Sequence, residues 1–399
     1  MNQRRCSPRF GRRKKPSLSK PPPAKAGEFA HPVRTPKDGG FNQLMETKYT
    51  RVQGIDSIRF VAAFIVLLGH FPILPQAIYH NFDNPLYRLI GAGFGLLFNG
   101  PAAVIVFFVV SGFCIHYPFR HGGTFLLGEF YARRAIRLCL PALIATALYH
   151  LAGYDISYPE FGVLWSVICE AIYYALYPLL RRIRRIISWE NMIATSFAIS
   201  FLVCIFNLDD LRRGLNSYVA LGLLTWIVGL PCWMLGCWLA ENFQKFRRPT
   251  THQIVMLRLS VLLASFVLRL AKFHGSGIVY SNVFTLNVFS LLVVIWLGQE
   301  IQRYSDRRPP SFLEAAGTWS YSLYLIHPII ITIFGLMAIS LTDAVSLLTR
   351  ILVVILCLVM SYLFFRVVEL PAHKLSAYVG RQIRSKTSQA NSRLMNKQP

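Results

Sequence analysis

The sequence predicts an all-α integral membrane protein: a bundle of about ten transmembrane helices with both termini in the cytoplasm. Three observations carry this expectation. Apolar residues make up 54% of the 399 residues, charged residues only 15%, and the mean hydropathy is +0.43. The apolar residues gather into runs of roughly 20, the length at which a helix crosses a bilayer. Between these runs, basic-rich and basic-poor connections alternate. The surplus of 42 basic over 18 acidic residues, a net charge of +24, would suggest nucleic acid in a soluble protein. Here much of it lies in the tails and between apolar runs, so topology accounts for it and no nucleic-acid partner is expected.

The chain reads as three parts. Residues 1–53 form a basic, proline-rich tail containing Arg12-Arg-Lys-Lys15 and Pro21-Pro-Pro23, with no apolar periodicity, and are expected to be disordered. Holding the N-terminus in the cytoplasm is role enough for it. Its charge would also draw it to anionic lipid headgroups, at about 1 kcal/mol per basic residue near the surface. No signal-peptide core precedes the first span, so the tail is expected to be retained. Residues 54–373 form the polytopic domain, and residues 374–399 a basic, polar C-terminal tail.

Within the domain, spans are expected near 58–78, 96–117, 135–152, 162–181, 189–208, 217–239, 254–272, 279–298, 319–338 and 347–368. Connections after even-numbered spans carry Arg120, Arg133 and Arg134; Arg181, Arg182, Arg184 and Arg185; Lys245, Arg247 and Arg248; and Arg303, Arg307 and Arg308. Those after odd-numbered spans carry only Arg88, Arg212, Arg213 and Lys272. This asymmetry places the even side, and both termini, in the cytoplasm. The eight cysteines show neither zinc-site spacing nor a disulfide framework and are expected as reduced thiols.

Ionisable residues inside apolar runs are costly, and so they point to function. The first span holds two, Arg59 and His70. Eleven residues at about 100° each return His70 to within roughly 20° of Arg59, about 16 Å further along the axis. A snorkelling arginine would explain Arg59 alone; the pair on one face favours function. The second span ends Val106-Phe-Phe-Val-Val-Ser-Gly-Phe113, where Ser111 and Gly112 allow close helix approach, and Gly229 and Gly236 make a similar small-residue step. Arg133, Arg134 and Arg137 gather at the cytoplasmic mouth of the third span, where arginine forks suit phosphate. Positive-inside charge would also produce them. In the fourth span, Trp165-Ser166 is followed by Glu170 and Tyr174, so Ser166, Glu170 and Tyr174 form one polar stripe. Packing does not explain Glu170, and Arg59 or His70 are its expected partners. In the ninth span, Ser320, Tyr324 and His327 form another stripe, and Pro328 is expected to push His327 out of regular helix.

Together these residues resemble the acyltransferase-3 family of polytopic membrane acyltransferases. The likeness runs from about Gly54 to Pro371. It rests on Asp56-Ser-Ile-Arg59, the gap to His70, Phe107-Phe-Val-Val-Ser-Gly-Phe113 and the Arg134-x-x-Arg137 step ending at Pro141. It also rests on Trp165-Ser166 with Glu170, on Ser320-Tyr-Ser-Leu-Tyr-Leu-Ile-His327 and on Glu369-Leu-Pro371. The chain departs in its long basic N-terminal tail and in lacking a fused esterase-like domain, so a single-domain transferase is implied.

The resemblance implies transfer of an acyl group, often acetyl, from acyl-coenzyme A to a hydroxyl of a carbohydrate or lipid-linked glycan, as part of surface polysaccharide biosynthesis. A multi-pass protein of a bacterial cytoplasmic (inner) membrane is implied with it. On this reading Arg133, Arg134 and Arg137 hold the donor's phosphates. His70 acts as base or as acyl carrier, base catalysis being the simpler. Arg59 steadies the thioester oxygen or the donor phosphates, and Glu170 orients His70 or Arg59. Asp56 sets the Arg59 rotamer, while Ser111, Trp165, Ser166, Tyr324 and His327 support the site or contact substrate. No metal and no permanently bound cofactor are expected. The competing reading is a proton-coupled transporter, which would also place His, Glu and Arg inside a bundle.

Overall fold

The computed structural model describes residues 52–71, 85–153, 163–213, 218–274, 282–338 and 347–395, and these are helical with no strand. In chain order the helices are α1 (Ile55–His70), α2 (Pro85–Leu97), α3 (Gly100–His116), α4 (Leu127–Arg134) and α5 (Leu140–Leu151). There follow α6 (Leu164–Ile183), α7 (Trp189–Phe206), α8 (Leu208–Arg213), α9 (Thr225–Asn242) and α10 (Thr251–His274). The last are α11 (Asn282–Arg303), α12 (Ser311–Gly317), α13 (Ser320–Ala338), α14 (Leu347–Phe364) and α15 (Leu370–Met395). A π-helical turn, Ala135–Cys139, joins α4 to α5, and a second, Phe365–Glu369, joins α14 to α15. The N-terminal tail expected to be disordered falls outside the described residues, apart from its last two positions.

Over its described residues each of the ten expected spans falls mainly on helix; the end of the first and the starts of the fourth, sixth and eighth lie outside the described residues. Among the described residues, however, only 7 helical stretches are both long and apolar enough to cross a membrane. The three spans outside this set are α1, with 16 described residues, α6, which carries Glu170, Arg181 and Arg182, and α13, which is apolar but shorter, over Ser320–Gly335. These helices carry Arg59 and His70, Glu170, and Tyr324 with His327.

α3 is the axis of the bundle. It is apolar on every side, which suits a helix surrounded by others, and it packs against α1, α6, α9 and α11. Its start is defined locally: Asn99 Oδ1 accepts from the Ala102 N–H at 3.3 Å, with Pro101 in the first turn. The crossing with α9 depends on two glycines. A Cβ on Gly112 would lie 1.9 Å from the Trp233 carbonyl oxygen, and one on Gly236 would lie 2.0 Å from that of Val109. The two backbones therefore touch, the close approach that small residues permit between membrane helices.

Outward-facing Leu143 of α5, Ile199 of α7, Leu263 of α10 and Leu356 of α14 are exposed. Such apolar outer faces suit lipid rather than water. Most of the C-terminal segment expected as a tail continues the helix instead, in α15. Ala372, Ser376 and Gly380 make a buried stripe of small residues at four-residue intervals, and α15 packs along α4. That periodicity overrides the polar composition of the segment.

Candidate active site

From Ala102 to His116, α3 is buried at every position except Phe107, Ser111 and Cys114. Steps of four and three put these on one face. On a helix so enclosed, an accessible stripe faces an internal cleft. α6 supplies the opposite wall at Ser111. The Ser111 Oγ donates to Glu170 Oε1 at 2.5 Å, the Tyr174 hydroxyl donates to the same oxygen, and Trp233 Nε1 donates to Ser111 Oγ at 3.2 Å. Glu170 was expected to pair with Arg59 or His70; its hydrogen bonds run to two hydroxyls instead. The physical reason is that short hydroxyl donors satisfy a carboxylate at close range, where long cationic side chains would need their own desolvation. Ser111, expected chiefly to ease packing, is the hub of this cluster, because one hydroxyl donates and accepts at once.

Toward one end of the cleft lie the arginines. Arg59 Nη1 is 3.7 Å from Asp56 Oδ1, one turn earlier on α1, an ion-pair distance. Arg133 donates to Glu129 Oε1 at 3.1 Å. Arg384 of α15 grips both oxygens of the same carboxylate at 3.0 Å each. Arg134 stands over the rings of Phe130 and Tyr174, 5.8 Å from each centroid. Among the described residues neither Arg134 nor Arg137 has a carboxylate within ion-pair distance, although they lie close enough to each other and to Arg59 for their charges to interact. The nearby carboxylates are otherwise engaged: Glu170 with hydroxyls, and Glu369 with the N–H and Oγ of Ser322. The three expected phosphate ligands thus divide: Arg133 is committed to Glu129, and the forks of Arg134 and Arg137 remain. Arg137 lies in the π-helical turn, which widens the chain between it and Arg134. Cys114, the exposed cysteine of α3, sits within charge range of Arg59, Arg134 and Arg137.

Toward the other end the same stripe reaches two histidines. The Phe107 ring packs edge-on against Tyr324 (5.7 Å), and Tyr324 against His327 (6.2 Å). The Tyr324 hydroxyl lies 2.6 Å from Ser166 Oγ, and both hydroxyls reach the Val163 carbonyl, at 3.0 and 3.2 Å. That cluster ties α13 to the start of α6. Trp165 packs edge-on against Phe108, 6.1 Å between centroids. His327 is fully buried and, contrary to expectation, stays within continuous helix despite Pro328. The neighbouring tertiary contact fits this: Tyr149 of α5 donates to the Leu325 carbonyl.

The hydrogen bonds of these histidines assign their tautomers. His327 Nδ1 is 2.9 Å from the Leu323 carbonyl, which only accepts, so Nδ1 carries the proton and Nε2 the lone pair. His327 Nε2 is 3.3 Å from His70 Nδ1, which also reaches the Val66 carbonyl at 3.0 Å. Both of these are acceptors, so His70 is protonated on Nδ1 and its Nε2 is the basic nitrogen. His70 is exposed at the end of α1, so that nitrogen belongs to an accessible ring. The pairing of His70 with His327 has no signal in local spacing.

A second polar cluster stands apart from the cleft. Glu241 accepts from His116 Nε2, Trp189 Nε1 and Arg184 Nη2, each at 2.9 Å, and so links α3, α6, α7 and α9. Among the described residues no group of three or more His, Cys, Asp or Glu side chains is arranged to hold a metal ion.

A family model described as an acyltransferase domain matches residues 52–366. No curated protein and no solved structure matches the chain.

Proposed function

From membership of the acyltransferase-3 family, to which this chain belongs over residues 52–366, we propose that the protein is a membrane O-acyltransferase working from acyl-coenzyme A. Its acceptor on this reading is a hydroxyl of a carbohydrate or lipid-linked glycan, and the group moved is acetyl in the simplest case. The observation that carries the reading is the basic Nε2 of His70, set by two carbonyls and His327.

The acceptor hydroxyl gives its proton to His70 Nε2 as its oxygen attacks the thioester carbonyl carbon. The imidazolium formed keeps its Nδ1–H on His327 Nε2 and the Val66 carbonyl, two acceptors already in place. Collapse of the tetrahedral adduct breaks the C–S bond. The departing thiolate recovers the proton from His70, so the enzyme ends as it began. A thioester is activated enough for this route to need no covalent intermediate on the protein.

Arg134 and Arg137 would hold the donor's phosphates, with Arg59 beside them. Arg59 and His70 are eleven residues apart on one helix, about 16 Å. That distance favours the phosphate end for Arg59 over the thioester oxygen, and the pantetheine arm would lie along Cys114, Ser111 and Phe107. Glu170 then shapes the middle of the path.

The test is transfer of radiolabel from acetyl-coenzyme A to host glycans, in membranes holding wild-type or His70→Ala protein at matched levels. Label present with wild type and absent with H70A is expected. Label that survives in H70A would remove His70 from the chemistry. No label with either protein would shift the balance to the transporter.

A further inference from the structure

The two helices that carry the histidines are each capped by a carboxylate from elsewhere in the chain. The residue before α1 is Gly54, which is left-handed (φ 87°) and makes no side-chain cap. The residue before α13 is Trp319, whose indole only donates. In both helices the third residue is serine. Ser57 donates its N–H (3.0 Å) and its hydroxyl (2.7 Å) to Glu314 Oε1, which also accepts from the Gly54 N–H at 3.1 Å. Ser322 likewise donates its N–H (3.2 Å) and its hydroxyl (2.5 Å) to Glu369 Oε2. The backbone N–H three residues into a helix is the group a local cap would satisfy, and a carboxylate there also meets the positive end of the helix dipole. By contrast, α3 and α7 are capped by their own Asn99 and Ser188.

A local cap holds a helix end to itself; a cap supplied by another element holds one helix against another. Glu314 belongs to α12, whose Gly317 packs directly on Asp56, since a Cβ there would lie 2.0 Å from the Asp56 carbonyl oxygen. Glu369 closes the π-helical turn after α14. Its surroundings also include Arg59, Arg137 and His373, the last 3.5 Å away. Each histidine's axial position is therefore referred to a neighbour. His327 lies five residues beyond Ser322, about 7 Å along the axis, and His70 lies thirteen beyond Ser57, about 20 Å.

We propose that Glu314 and Glu369 are positioning residues that set the register of α1 against α13, and with it the approach of His70 Nδ1 to His327 Nε2. The inference rests on the acyl-transfer reading for its kinetic consequence, but not for its structural one. Glu369, the nearer, has the larger effect.

The test uses E369A, E369Q, E314A and E314Q in the full chain, with two readouts. In the transfer assay, E369A is expected to lower kcat at least tenfold and E314A about threefold, with donor KM within twofold. The glutamine variants keep an acceptor oxygen and should retain more kcat than the alanines. The second readout is carbethoxylation of histidines by diethyl pyrocarbonate, read by mass spectrometry on detergent-purified protein. In E369A the His327 rate should rise at least threefold while buried His116 stays protected, marking a local displacement rather than general loosening. If an alanine variant fails to fold, E369Q and S322A carry the test, with about threefold lower kcat expected and His327 less protected. Unchanged kcat with His327 still protected would overturn the inference, as would a raised donor KM with kcat intact. If wild type itself transfers no label, the functional reading fails, and carbethoxylation alone decides the register proposal.

Discussion

Replacing His327 by alanine probes the proposed mechanism most directly, because in it His327 acts only through His70. The substitution removes one of the two acceptors on His70 Nδ1–H and leaves the Val66 carbonyl at 3.0 Å. A hydrogen bond to a charged group contributes about 1.5–3 kcal/mol, and the imidazolium exists only during reaction. With one acceptor surviving, the lower half of that range applies, which corresponds to roughly a tenfold to fortyfold loss in kcat at about 1.4 kcal/mol per decade. Loss of the base itself, in H70A, should cost about 10²- to 10⁴-fold. The assay is label transfer at saturating donor with matched protein levels. The double variant should be no slower than H70A, since a residue that works through another adds nothing once its partner is gone. Three results would refute the scheme: H327A within twofold of wild type, H327A slower than H70A, or losses that simply multiply.

Three further outcomes are expected. Arg134→Ala and Arg137→Ala should each raise the donor KM by about 10- to 100-fold, as loss of a charge-assisted phosphate contact would. Arg133→Ala, whose guanidinium is committed to Glu129, should change it less than about threefold; equal effects from all three would undo the division of the arginines. Gly112→Ala places a carbon 1.9 Å from a carbonyl oxygen, so α3 and α9 must part by about 1.4 Å to reach an ordinary contact of about 3.3 Å. Overpacking of this kind destabilises by about 1–3 kcal/mol. A melting curve in detergent should show it against Gly93→Ala, where a Cβ would meet nothing within 4 Å. Cys114, exposed on the stripe, should react with a charged methanethiosulfonate in a C6S/C139S background and be protected by coenzyme A. Equal labelling with and without coenzyme A would place the donor elsewhere.

That the long apolar runs form helices suited to a membrane could be read from the chain alone, whereas the helix of α15 could not. Hydropathy and helical propensity are local, and ten apolar runs with their arginine-rich connections needed no knowledge of neighbours. Arg59, His70, Glu170 and His327 are conspicuous for the same local reason, because an ionisable side chain in an apolar run stands out wherever the run ends up. The Glu129–Arg133 pair, at four-residue spacing on α4, was equally legible in principle. Helical periodicity says which residues share a face, but not which helix that face will meet. Only the packed bundle, set by backbone contact at Gly112 and Gly236, brought Glu170 to Ser111 rather than to an arginine. It brought His70 to a histidine 257 positions away, and lent α1 a cap from 257 positions beyond Ser57 and α13 one from 47 positions beyond Ser322. The π-helical turns at Arg137 and Glu369 likewise answer to packing, since an extra residue in a helix is stable only where tertiary contacts hold it. Local chemistry in the sequence therefore determined which ionisable groups lie inside the bundle; tertiary contact decided which of them are paired, and so which nitrogen of each histidine keeps its lone pair.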